Sequence, residues 1–185
     1  MSRRWIVFVF ATVLFCVMPA VPASAAGPTY VTSHISTNTT WTSAGSPYIV
    51  NIGTLYVQPG VTLTIQPDVE VVMNQWLGVL MVKGNLQALG TQAEPILFTS
   101  GQDYSGVGGA KGQWRYIGFE AAGTGTLDHV EIRYAGFVAS SAPWAYSALR
   151  MQSSLEVWVT NSYIHDNNNS GYWRPPTFRS ISARR

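Results

Sequence analysis

Two Asp/His pairs are the first places to look for chemistry in this sequence. Asp128-His129 and His165-Asp166 each set a carboxylate beside an imidazole, and acid–base catalysis needs such titratable groups converging on one pocket. Both pairs also read as turns. His129 stands at a corner between Leu127 and Val130, where Asp128 can cap the turn. His165-Asp166 opens the polar run Asn167-Asn168-Asn169-Ser170-Gly171, and Asp and Asn favour turns without any further role. The turn reading is preferred for both. The carboxylates Glu70, Glu120, Glu131 and Glu156 fall one per strand, with no Asp or Lys companion beside them. Asp103 stands alone in a Gly-rich loop, short of the ligand count that calcium needs. Gly106 to Gly112 lacks the Lys-Ser/Thr pair and following helix of a phosphate cradle. These residues predict no catalytic centre, no metal site and no cofactor.

Binding is the other chemistry to weigh. Tyr116 and Trp158 have the parity of outward-facing strand residues, while Trp114, Trp144 and Tyr146 lie in or beside longer loops. An exposed ring can stack on the apolar face of a sugar while polar neighbours take its hydroxyls. Tyr116, Trp158, Trp114 and Trp144 are therefore the candidate glycan platform. The alternative is stacking of these rings within the fold. Asn161 reads as a turn amide able to satisfy corner backbone groups.

The elements that must position these residues are strands. Leu55/Val57, Leu63/Ile65, Val69/Val71/Met73, Ile96/Phe98, Val130/Ile132/Tyr134 and Leu155/Val157/Val159 each alternate with other residues. A period of two marks a strand with one buried face. After residue 26 no segment shows helical spacing with plausible caps. Gln58-Pro59-Gly60 and Gln66-Pro67-Asp68 enclose only Val61 to Ile65, so strands are short and turns close.

Composition agrees. Charged residues are 11% and hydrophobic residues 46% of the 185, too apolar for disorder. Arg3 and Arg4, the apolar run Trp5 to Met18, and Ala23-Ser24-Ala25 predict an export signal cleaved after Ala25. The run is short for a membrane span, and the very apolar stretch behind Arg3-Arg4 favours general secretion over a twin-arginine route. Cys16, the one cysteine, leaves with the signal, so the mature chain can form no disulfide. From Ala26 to Trp173 there are five basic and nine acidic residues, which leaves no nucleic-acid footprint.

An internal repeat narrows the architecture. Leu80, Ile117 and Leu149 occupy equivalent places in strand–turn–strand units, 37 and 32 residues apart, with extra loops at Gly101 to Gly112 and Ala135 to Tyr146. Such periods mark solenoids. Thr37-Asn38-Thr39-Thr40-Trp41, Val61-Thr62-Leu63-Thr64-Ile65-Gln66-Pro67-Asp68-Val69, Gly84-Asn85-Leu86-Gln87-Ala88-Leu89-Gly90-Thr91 and Leu127-Asp128-His129-Val130-Glu131-Ile132-Arg133-Tyr134 resemble successive coils of bacterial secreted β-helix proteins. The resemblance, from about Ser36 to Trp173, is to the pectate-lyase-like right-handed parallel β-helix. It implies an all-β solenoid of about four coils. Pectate lyases of this fold use an acidic calcium cluster with a basic proton acceptor; polygalacturonases use clustered aspartates with a His and a Lys. Neither set is evident in the sequence.

The expected organisation is a signal peptide over 1–25, the β-helix over 26–173 and a basic Pro/Arg tail over 174–185. The pattern is left at Arg174-Pro175-Pro176, as in a truncated member of the family. The expected role is that of a secreted or cell-surface module, structural or binding a polysaccharide or cell-surface glycan. It needs no nucleic acid and no stable membrane anchor, and it self-associates through an open final coil. The alternative is the N-terminal fragment of a polysaccharide lyase or glycoside hydrolase whose catalytic coils are missing.

Overall fold

The computed structural model describes residues 27–137, 147–151, 157–168 and 172–173. The expected cleavage site at Ala25, the tail at 174–185, Trp144, Tyr146 and Glu156 lie outside the described residues. The described chain is a parallel β-helix: three sheets, every paired strand parallel, wound from short strands separated by tight corners.

Sheet A holds β1 (Thr29–Val31), β3 (Tyr48–Val50), β6 (Glu70–Met73), β9 (Ile96–Ser100), β12 (Val130–Arg133) and β15 (Tyr163–His165). Sheet B holds β4 (Thr54–Val57), β7 (Val79–Val82), β10 (Tyr116–Phe119), β13 (Leu149–Met151) and β16 (Tyr172–Trp173). Sheet C holds β2 (Thr39–Trp41), β5 (Thr62–Ile65), β8 (Asn85–Leu89), β11 (Thr124–Asp128) and β14 (Val157–Thr160). The chain visits B, C and A in turn, so β4 to β15 make four complete coils, the number expected from the repeat.

The repeat anchors are register partners. Leu55, Leu80, Ile117 and Leu149 form one inward row of sheet B, and none is more than 1% exposed. Alternate positions of each strand do the same on the other sheets, so the core is a column of Leu, Ile, Val and Phe rows. Each coil removes its apolar row from water only by stacking on the next, which ties stability to coil-on-coil burial.

Corners follow from backbone constraints. Between sheets C and A, His129 (φ 50°) and Asn161 (φ 48°) occupy equivalent left-handed positions, a conformation that Asn tolerates better than most side chains. Between B and C, Gly84 and Gly123 sit where a Cβ would collide with the carbonyl oxygens of Val61 and Val82. Only glycine lets the coils approach there.

The corner between A and B carries the long loops. One contains a helical turn that periodicity does not announce, α1 (Gly101–Tyr104), capped by the Ser100 hydroxyl accepting from the Asp103 N–H at 3.1 Å. Four residues are too few to show a 3.6 period; the Ser with an Asp three places on is the local signal.

Candidate functional site

Two constructions on the A side of the molecule bring chemistry-bearing side chains together. The first is a charged network on the outer face of sheet A. Glu131 and Arg133 on β12 lie in register with Tyr163 and His165 on β15. Arg133 directs Nη2 (2.7 Å) and Nε (3.1 Å) to Asp103 Oδ2 and Nη1 (2.9 Å) to Glu131 Oε1. Glu131 Oε1 also meets His165 Nε2 at 3.0 Å, and His165 Nδ1 meets Asp166 Oδ2 at 2.8 Å. Thr99 donates its hydroxyl to Asp103 Oδ2 at 2.6 Å. The Tyr163 ring stacks on His165, centroids 4.1 Å apart.

The electrostatics follow from crowding. Burial by itself lowers the pKa of Arg133, but its hydrogen bond to Asp103 and the charges of Asp103 and Glu131 outweigh this and hold it above its ordinary value. Glu70, on the same face, is pushed up by burial; Arg133 opposes the shift and Asp103 adds to it. The fork of Arg133 to two carboxylates from two segments suits a guanidinium and no other side chain.

This network revises the reading of isolated carboxylates. Asp103 is not alone in its loop, and Glu131 has companions. Arg133 reaches Asp103 across 30 residues and His165 reaches Glu131 across 34, while Arg133 also meets Glu131 within β12. His165-Asp166 takes part, with Asp166 in the left-handed turn position (φ 49°). Asp128-His129 does not. Asp128 Oδ1 accepts from Thr160 Oγ1 (2.6 Å) and Asn161 Nδ2 (2.8 Å), holding two coils together rather than capping its own turn. The Thr160 bond is the main reason its pKa is lowered; burial opposes the shift, and the Asn161 bond and His129 add to it. His129 Nδ1 lies 3.2 Å from Asp128 Oδ2 but is not aligned as a hydrogen bond. Asn161 spends its amide on Asp128. The backbone of that corner is served instead by Ser162, whose hydroxyl accepts from Val130 N at 3.0 Å; at the A–B corner Asn167, 6% exposed, accepts from Ala135 N (2.7 Å) and donates to Ile132 O (3.0 Å).

The second construction is an open cleft on the A–B corner. Trp76, from the turn between β6 and β7, is 63% exposed. Its ring meets Phe137 edge-on at 6.1 Å. Gln102, Gln113 and Asn168 line the same cleft, whose volume is about 450 Å³, and Lys111 stands at it. A contiguous cleft of about 280 Å³ shares Trp76, Gln102 and Gln113 and adds Asn74 and Ser105.

The cleft is anchored to the network. Asp103, held by Arg133, fixes α1 and with it Gln102. Gln113 donates Nε2 to Gln102 Oε1 (2.6 Å) and Gly108 O (3.1 Å), and its own oxygen accepts from Ser100 Oγ. The loop then runs beside the next corner: Gln113 N bonds Tyr134 O (2.8 Å) and Phe137 N bonds Trp114 O (2.8 Å). Asn168 Nδ2 reaches Gly136 O at 3.2 Å. The amides at the cleft are thus positioned by three successive coils.

The four expected platform residues fare differently. Trp158 projects from β14 and is 47% exposed. Tyr116 does not present its ring: it is buried beneath the guanidinium of Arg150, 4.3 Å from its centroid, and that of Arg115 at 5.4 Å. Outward parity does not give exposure where long side chains of the next coil lie across the sheet. Trp114 is wholly buried, its Nε1 donating to Arg133 O at 2.8 Å; the indole pins the loop to the solenoid. Trp144 lies outside the described residues. Trp76 escapes sequence reading because Asn74-Gln75-Trp76-Leu77-Gly78 looks like an ordinary turn; a Trp between Asn74-Gln75 and Gly78 is the one signal.

No family model matches the sequence, and no curated protein or solved structure matches it.

Proposed function

We propose that this chain is an exported β-helix module that binds a polysaccharide or cell-surface glycan in the A–B corner cleft and performs no chemistry of its own. The observation that carries the reading is Trp76 beside Phe137, with the amides of Gln102, Gln113 and Asn168 around the same open cleft. A sugar ring offers C–H faces that stack on aromatic rings, and hydroxyls that both donate and accept. Carboxamides do both as well. The export reading rests on Arg3-Arg4, the apolar run and Ala23-Ser24-Ala25. The resemblance to secreted pectate-lyase-like solenoids supports it. A glycan array probed with the full chain and with Trp76→Ala tests the proposal: binding to a defined set of glycans, lost in the variant, supports it, and an array with no signal contradicts it.

A second reading has one observation in its favour. Glu131, His165, Arg133 and Asp103 form a converging cluster of acid, base and cation, the kind of group a lyase or hydrolase fragment would retain. The network's own bonds weigh against it. Glu131 Oε1 is occupied by both Arg133 and His165, and the Arg133 fork is spent on Asp103 and Glu131. Release of reducing or unsaturated ends from pectin or alginate, lost in Glu131→Gln and His165→Asn, would establish the second reading.

A further inference from the structure

The outer face of sheet C differs from the other two. Sheet A carries Glu70, Glu131, Arg133 and His165, and sheet B carries Arg150. The central row of sheet C runs Thr64, Gln87, Thr126, Trp158 from coil to coil, and the row beside it includes Thr62 and Thr124. Among the described residues, the one carboxylate of this face is Asp128, on the edge nearest sheet A and engaged by Thr160 and Asn161. The hydroxyls of Thr62, Thr64, Thr124 and Thr126 make no hydrogen bond to another described residue. All four are half-exposed.

We infer that this face is a second carbohydrate-binding surface, for a neutral, insoluble, β-linked polysaccharide whose chain lies along the solenoid axis and ends on the Trp158 ring. Strands repeat about every 4.8 Å, close to the length of one equatorially linked pyranose, so a stretched chain meets one hydroxyl or amide per coil. Thr in a strand is stiff at χ1, which fixes each hydroxyl in place. A single hydroxyl contact exchanged against water contributes little. Affinity must therefore come from several contacts in register plus one ring, and a ligand already ordered loses least on binding. This selects a rigid polymer over a short soluble oligosaccharide. The absence of charge selects a neutral polymer over an acidic one. Gln87, whose Nε2 donates to Asn85 Oδ1 at 2.8 Å, and Trp158, 47% exposed, interrupt the threonine rows, which suits a polymer chain and not a flat lattice of ordered water.

The surface lies on a different sheet from the A–B corner cleft, so the two can be tested apart. The full chain is incubated with particles of cellulose, chitin and β-1,3-glucan, and the bound fraction is measured for the wild type, Trp158→Ala, Thr126→Lys and Trp76→Ala. Thr126 points away from the core, so the added ammonium alters the face and not the packing; Thr64→Lys repeats the test two coils away should Thr126→Lys lower the melting midpoint. The inference requires retention of the wild type on at least one neutral polymer and a loss of roughly tenfold or more in affinity for Trp158→Ala and the Lys variants. It also requires no change for Trp76→Ala. Absence of retention on every polymer, or retention unaffected by the Lys variants, overturns it. So does partition into growing ice that the Lys variants abolish while no polymer is bound.

Discussion

Glu131 Oε1 receives both Arg133 Nη1, at 2.9 Å within its own coil, and His165 Nε2, at 3.0 Å from the next coil. One carboxylate oxygen thus ties β12 to β15, while Arg133 extends the tie to α1 through Asp103. Replacing Arg133 by Met leaves Asp103 and Glu131, each less than a third exposed at the side chain, without their cation. Loss of a partner by a part-buried charged group costs about 1–3 kcal/mol. Urea denaturation of Arg133→Met should show a loss in that range, with Asp103→Asn losing less because its Thr99 bond persists. An unchanged midpoint would make the network a surface ornament.

The same face and the neighbouring corner give opposite pH signatures. Asp128 has a lowered folded pKa, so its contribution is present above its unfolded value and lost as pH falls through the folded one. Glu70 has a raised folded pKa, so the fold is favoured below its unfolded value and loses that advantage as pH rises through the folded one. Thermal melts at neutral pH should therefore find Asp128→Asn less stable than the wild type and Glu70→Gln more stable. Both differences should shrink in strong acid, where each carboxyl is protonated in either state. Reversal of either sign contradicts the assignment.

Coil architecture was readable in the chain because two signals coincide: alternation within strands and recurrence between them. Leu80, Ile117 and Leu149 stand out by both, and the fold sets them side by side. The charged network was not readable. Glu131 meets His165 only when the coil between them has a definite length, and the loops after Arg133 hide that length. Parity turns Tyr116 outward, yet its coverage depends on Arg150 one coil on. Trp76 sits in a corner, where no period exists to flag a side chain.

Asn167 and Gly123 test the corners. Asn167→Ala leaves Ala135 N and Ile132 O buried without their partner, at about 1–3 kcal/mol for each group unsatisfied. Gly123→Ala places a methyl group against the Val82 carbonyl, where backbone must shift. Both should lower the melting midpoint well beyond Lys83→Ala, which removes a half-exposed pair with Glu120 at 3.6 Å and the ammonium lying 4.5 Å over the Tyr56 ring. Equal midpoints for Lys83→Ala and Asn167→Ala would deny the amide its place in the turn.

Glycan binding in the A–B corner cleft, as proposed, depends on the exposed Trp76 ring. Affinity electrophoresis measures it, with the full chain run through native gels cast with soluble polysaccharides and beside a gel with none. The wild type should be retarded by at least one polysaccharide, and Trp76→Ala should migrate freely in the same gel at an unchanged melting midpoint. Equal retardation of the two proteins, or of neither in any gel, would show that Trp76 holds no glycan.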